Sequence, residues 1–217
     1  MKREKSFEAA LLALPLFPLP QVVLFPRMTL PLHVFEPRYR TMLSDCLETH
    51  QMMAVVLIAA PHPVDRHGHP RIATIAGAGF IVEHQPLSGG RSSILLVGKA
   101  RVALEELPFE PPYRRARATL LADIDSRVSE SDRSALAHTA TTFAFEVKKR
   151  DPSFSFRTAP NISPGELADA CAHHLVIDSQ VRQRVLETLD VADRVRIVTS
   201  ELASQSAELG TRTSILN

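Results

Sequence analysis

Six prolines, at 15, 18, 20, 26, 31 and 37, punctuate the stretch LPLFPLPQVVLFPRMTLPLHVFEPRYRTMLSDCL that runs from Leu14 to Leu47. Proline has no N–H to give to a sheet ladder, so each apolar segment between them must be short, bulged or at a sheet edge. At Phe35-Glu36-Pro37 the pattern changes. Pro37 suits the first position of a helix, and Tyr39, Leu43, Cys46 and Leu47 follow at helical spacing. The stretch reads as two or three brief strands that feed a helix over about 36–49.

Turn-rich segments mark off further strands. The expected set is Phe17–Leu19, Val22–Phe25, Thr29–Val34, Ala54–Ala60, Ile72–Glu83, Ser93–Leu107 and Arg115–Asp123. Ser88-Gly89-Gly90-Arg91 reads as the hairpin turn between two long strands. Pro61 to Pro70 and Pro108 to Pro112 are too proline-rich for regular structure. Short strands at this spacing suggest a small barrel or pseudo-barrel.

After Asp125 the periodicity becomes helical. Leu136, Ala140, Phe143 and Val147 share one helix face. Ser129 with Asp132 resembles an N-terminal cap. Ser163-Pro164-Gly165-Glu166 is a fuller one, with Ser as N-cap, Pro at N1 and Glu at N3. Leu167, Cys171, His174 and Leu175 follow as one stripe, and Val181, Val185 and Leu189 as another. Asp190 is placed to cap a last helix carrying Val191, Val195, Val198 and Leu202. Helices with one apolar stripe each pack as a bundle. The fold class expected is therefore α+β: a β pseudo-barrel subdomain, then a C-terminal α-helical bundle. The expected divisions are an N-terminal extension (1–12), a β-rich subdomain with one inserted helix (13–125), a helical subdomain (126–210) and a tail (211–217).

Composition removes several classes. A 45% apolar share supports a true core, and 25 basic against 24 acidic residues give a formal charge of +1. That balance exerts no general pull toward nucleic acid or an anionic membrane. No run of 18 apolar residues exists, so no membrane span is expected. Lys2, Arg3 and Lys5 ahead of Ala9 to Leu14 faintly mimic a signal peptide, but Glu4 and Glu8 interrupt the basic region. The compartment expected is the cytoplasm. Cys46 and Cys171 both lie in helix-like apolar patterns and read as buried reduced thiols.

Three stretches resemble, in order, the N-terminal substrate-binding domain of Lon proteases, above all its stand-alone bacterial form. The first is Leu14 to Leu19, Val23 to Pro26 and Leu30 to Tyr39. The second is Gly98-Lys99-Ala100-Arg101-Val102. The third is Ser163 to Asp193, especially Leu186 to Val191. The resemblance spans about residues 13–202. It implies a PUA-like pseudo-barrel followed by helices, and a non-catalytic module that binds protein or peptide. Full-length Lon proteases carry ATPase and Ser–Lys peptidase domains after this part. Here the one Gly-Lys pair, Gly98-Lys99, is followed by Ala100, and no G-x-x-x-x-G-K-[ST] phosphate loop occurs. The chain is expected not to be an enzyme, and no cofactor is implied.

Candidate residues follow. Met28, Phe35, Arg38 and Tyr39 sit where the β part meets its helix and are the expected peptide-binding set, for unfolded or flexible polypeptide segments or a partner protein. Glu36 and Arg101, the polar residues of the most family-like segments, read as a pair that is either structural or part of a groove. Arg114, Arg115 and Arg117 form the densest basic run and support an alternative, an RNA-binding adaptor on a PUA-like fold. Twelve aromatics with no Trp leave few stacking surfaces for it. His62, Asp65, His67 and His69 are the weak metal candidates. Their loop lacks the tight ligand spacing of structural zinc sites, and no metal is expected there.

Overall fold

The computed structural model describes residues 2–59, 64–159 and 161–214. They fall into two compact units, Met1–Leu121 and Ala122–Asn217. The first holds α1 (Lys2–Leu11), β1 (Leu14–Leu19), β2 (Thr29–Val34), α2 (Pro37–Glu48), β3 (Met52–Leu57), β4 (Ile75–Pro86), β5 (Ser92–Glu106) and β6 (Arg115–Leu121). Strand order is β2-β5-β4-β3-β1-β6, and β6 also pairs with β5. The ring β5-β4-β3-β1-β6 is thus a closed barrel. Strand β5 is long enough to serve two partners on one edge: Val97 to Ser92 pair with β2, and Arg101 to Glu106 pair with β6.

The prolines sit where a missing donor does no harm. The N–H of Leu16 points to the β6 side, where it bonds the Arg114 carbonyl at 2.9 Å. By strand alternation the Pro18 nitrogen faces the same side, and there the β1–β6 ladder stops at Leu14 and Pro15. On β2 the Met28 carbonyl accepts from Gly98 N–H at 2.9 Å, so Leu30 and Leu32 face β5. Pro31 therefore turns its nitrogen outward, to an edge with no strand among the described residues.

Every residue of β3 is buried, so the strand serves two cores. Met52, Ala54 and Val56 join Leu14, Leu16, Ala76, Ala78, Val102 and Ala116, with Phe7, Ala10 and Leu11 of α1 packed in. Met53 and Val55 join Phe17, Leu24, Val34, Ile81, Ile94 and Leu96 beneath Tyr39, Met42, Leu43 and Cys46 of α2. The amphipathic spacing of Phe7, Ala10 and Leu11 thus makes the first residues a helix of this core.

One expected strand is absent. Residues Val22 to Phe25 form an irregular segment between Gln21 and Arg27, both with positive φ (59° and 65°). Val23, Leu24 and Phe25 are buried all the same. Their backbone lies against β4 and β5, where Gly77 and Gly98 leave room for the Leu24 and Phe25 carbonyls. An apolar run flanked by Pro20 and Pro26 reads as a strand, yet it fills space instead of pairing. The expected turn at Ser88 to Gly90 is present: Gly89 and Gly90 adopt φ of 72° and 70°, and Leu87 N–H bonds the Arg91 carbonyl at 2.8 Å.

The second unit holds α3 (Glu130–Arg150), α4 (Pro164–His174), α5 (Ser179–Glu187) and α6 (Val191–Ser214). Helix α6 touches each of the other three. It is helical to Ser214, into the stretch 211–217 expected as a tail. Val191, Val195, Val198 and Leu202 are buried along it, as are Leu136, Ala140 and Phe143 of α3 and Leu167 and Cys171 of α4, the helices it packs against. His174 is exposed and does not share that stripe, whereas Leu175 is buried. The caps form as the sequence implies: Ser129 Oγ accepts from Asp132 N–H, Ser163 and Glu166 make a reciprocal capping box, and Asp190 Oδ1 accepts from Asp193 N–H. Arg194, fully buried, donates to both oxygens of Asp123 at 3.0 and 2.5 Å, with Asp169 at 3.5 Å.

Candidate peptide-binding site

The junction of β2 and α2 divides the four expected residues. Phe35 is 62% exposed, and Tyr39 is 6% exposed. Tyr39 packs its ring 4.5 Å from Phe17 inside the core under α2, and burial raises its phenol above the ordinary value. Tyr39 is therefore packed into the core, because its helical spacing with Met42, Leu43 and Cys46 turns it inward. Arg38 lies 4.5 Å over the Tyr39 ring, and its Nε donates to Glu36 at 2.9 Å. Met28 is half-buried in the turn that enters β2.

The expected Glu36–Arg101 pair does not form. Glu36 takes Arg38, two residues on. Arg101 is buried in β5 opposite Gly77 and Leu121. Val34 at the end of β2 pairs with Ser92, so roughly 30 Å of strand separates the two residues at about 3.3 Å per residue.

Two clefts flank the β4–β5 turn. One, of about 470 Å³, is lined by His33, Val34, Phe35, Leu87, Ser88, Arg91 and Ser92. Leu87, 37% exposed, faces it together with Phe35. The other, of about 640 Å³, is lined by Arg40, Thr41, Ser44, Asp45, His84, Gly90 and Ser92 among others. Leu87, Arg40 and Ser92 line these clefts, and the sequence did not single them out. The one signal for them was an apolar residue placed just before a Ser-Gly-Gly turn.

The basic strand is compensated. Arg114 binds both oxygens of Glu106 at 2.8 and 2.7 Å and donates to the Pro70 carbonyl at 2.9 Å. Arg115 pairs with Glu110, and Arg117 with Glu105 at 3.3 Å. In the histidine loop, Asp65 Oδ1 accepts from the N–H groups of His67 and His69 at 2.8 and 2.9 Å. Those bonds, led by the one from His69, hold the Asp65 carboxyl below its ordinary value. The His67 ring accepts from Arg66 at 3.1 Å, and the His69 ring lies edge-on to Phe109 at 4.5 Å. These side chains are engaged in shaping a turn, and among the described residues no three groups converge as metal ligands. His62 lies outside the described residues.

A closed barrel with an appended strand and two helices, joined to an all-helical unit, defines an α+β module whose clefts lie at a strand end. Residues 13–204 match the ATP-dependent protease La (LON) substrate-binding domain, and the chain belongs to that family. It is 31% identical over 193 residues to a Lon protease of Roseiflexus castenholzii, covering 87% of this chain and 24% of that protein. It is 28% identical over 209 residues to a Lon protease of Heliobacterium modesticaldum, covering 94% of this chain and 25% of that one. The chain thus spans about a quarter of the length of these relatives. Among solved structures, a Lon N-terminal domain protein from Xanthomonas campestris superposes with a TM-score of 0.63 at 22% identity, over 87% of this chain and 97% of its own. The N-terminal domain of the Mycobacterium avium complex Lon protease gives the same score at 14% identity, over 88% and 98%. The matched region is the substrate-binding part of Lon. No helix among the described residues is long and apolar enough to cross a membrane.

Proposed function

We propose that this protein binds unfolded or flexible polypeptide segments without chemistry of its own, at the C-terminal end of β2. The observation that carries the reading is Phe35, a large apolar side chain left 62% exposed at the rim of a cleft beside a strand edge that is unpaired among the described residues. Alternation along β2 points the N–H groups of Thr29 and His33, with the carbonyls beside them, toward that edge. An extended segment can add there by main-chain hydrogen bonds and seat an apolar side chain against Phe35 and Leu87. Pro31 interrupts the edge, which protects it from unlimited pairing with other strands.

The family supports this reading, since its description is substrate binding. Nucleic-acid binding by Arg114, Arg115 and Arg117 finds no such support. Each arginine already faces a carboxylate, so a phosphate would have to displace one. The test is a fluorescence-anisotropy titration with a labelled unfolded polypeptide at low and high salt. Saturable binding that persists at high salt is expected. Its absence at both salts would defeat the reading.

A further inference from the structure

Arg40 lies in the first turns of α2 with its guanidinium laid on Gly90. A β-carbon at Gly90 would stand 1.8 Å from its NH2, so the guanidinium lies in close contact with the turn. Among the described residues the guanidinium has no hydrogen-bond or ion-pair partner. Across the same cleft, His84 Nε2 and Ser92 Oγ lie 3.1 Å apart. The acid in this cleft, Asp45, accepts from the Tyr113 hydroxyl at 2.6 Å. It is five positions along the helix from Arg40, about 140° around its axis. Glu36, the other nearby acid, is held by Arg38. Arg91, on the far side of the turn, donates to the Ser88 carbonyl at 3.1 Å.

We infer that Arg40, His84 and Ser92 form a carboxylate subsite, and that the preferred occupant is an extended peptide segment whose apolar residue is closely followed by Asp or Glu. The geometry joins this subsite to the Phe35–Leu87 cleft, because Ser92 lines both. A strand lying along the end of β2 would bring its apolar side chain to Phe35 and its next same-face or adjacent residue to the turn. There a guanidinium, a hydroxyl and an imidazole suit a carboxylate, with Arg able to bind both oxygens at once. The inference rests on the peptide-capture reading and narrows it to one class of segment.

Two fluorescein-labelled unstructured peptides test it, identical except for Glu or Gln after an apolar pair. The glutamate peptide should bind the wild-type chain about fivefold more tightly at low salt, the scale of one partly exposed ion pair. The gap should close in Arg40→Gln, whose fold is checked by circular dichroism. Equal affinities for the wild type, or a gap that survives in a folded Arg40→Gln, would overturn the carboxylate subsite and leave peptide capture standing. Binding of neither peptide would defeat both. Should Arg40→Gln not fold, the wild-type comparison alone decides.

Discussion

The carbonyl oxygen of Leu24 occupies the space that a side chain at Gly77 would need: a β-carbon there would come within 1.8 Å of it. Phe25 stands in the same relation to Gly98, at 2.0 Å. The buried segment Val23 to Phe25 therefore seats its backbone on the two longest strands, and only residues without side chains allow the approach.

Gly77→Ala and Gly98→Ala should each destabilise the chain by about 3 kcal/mol or more, since the clash is with backbone and cannot be relieved by a rotamer change. Gly89→Ala, at φ 72° with open space around it, should cost only about 1 kcal/mol. Urea unfolding midpoints measure the contrast. Equal, small effects at all three positions would contradict the seating of Leu24 and Phe25.

Arg194 is fully buried, held by Asp123 and close to Asp169. Arg194→Met would remove the buried cation facing Asp123 and Asp169, and about 3–5 kcal/mol of stability should be lost. Arg196 pairs with Asp193 at the surface at 2.7 Å, so Arg196→Met should cost less than about 1 kcal/mol. Chemical denaturation of the two variants side by side checks the difference.

Much of this architecture could be read from residue order. The prolines limited the early strands, the Ser88 to Arg91 turn set the β4–β5 hairpin, and caps at Ser129, Ser163 and Asp190 marked helix starts. Val22 to Phe25 was misread because burial on both sides gives the same apolar run as a strand. The clue lay elsewhere, in glycines of strands distant in sequence. Tyr39 lies on the core face, which its own spacing with Leu43 and Cys46 already implies. The pairing of Arg114 with Glu106 depends on β6 lying beside β5, and a basic run read alone shows only its charge.

Cys46 and Cys171 should resist thiol reagents in the folded protein. Burial pushes each thiol from an ordinary 9.0 up to about 12, and both side chains are nearly inaccessible. Labelling with a chromogenic disulfide at pH 8 should therefore be slow in buffer and rapid in denaturant. The same shift has a sign for stability. The folded chain keeps these protons between about pH 9 and 12 while the unfolded chain releases them, so their contribution is complete below pH 9 and declines as pH rises through that window. A Cys46→Ala variant should show a shallower decline there in alkaline unfolding titrations.

Phe35 and Tyr39 separate binding from folding. Tyr39→Ala removes a ring packed on Phe17 among Met42, Leu43 and Ile94, and should cost about 3–5 kcal/mol. Phe35→Ala removes a side chain that is mostly in water, so its effect on stability should stay within about 0.5 kcal/mol. If peptides dock in the cleft at the end of β2, Phe35→Ala should nonetheless weaken polypeptide binding about tenfold or more, as loss of an aromatic anchor does. Tyr39→Ala, examined where it remains folded, should bind with little change beyond what its lower stability explains. Anisotropy titrations paired with thermal unfolding distinguish the two roles. A Phe35→Ala protein that binds like the wild type would move the binding surface away from this cleft.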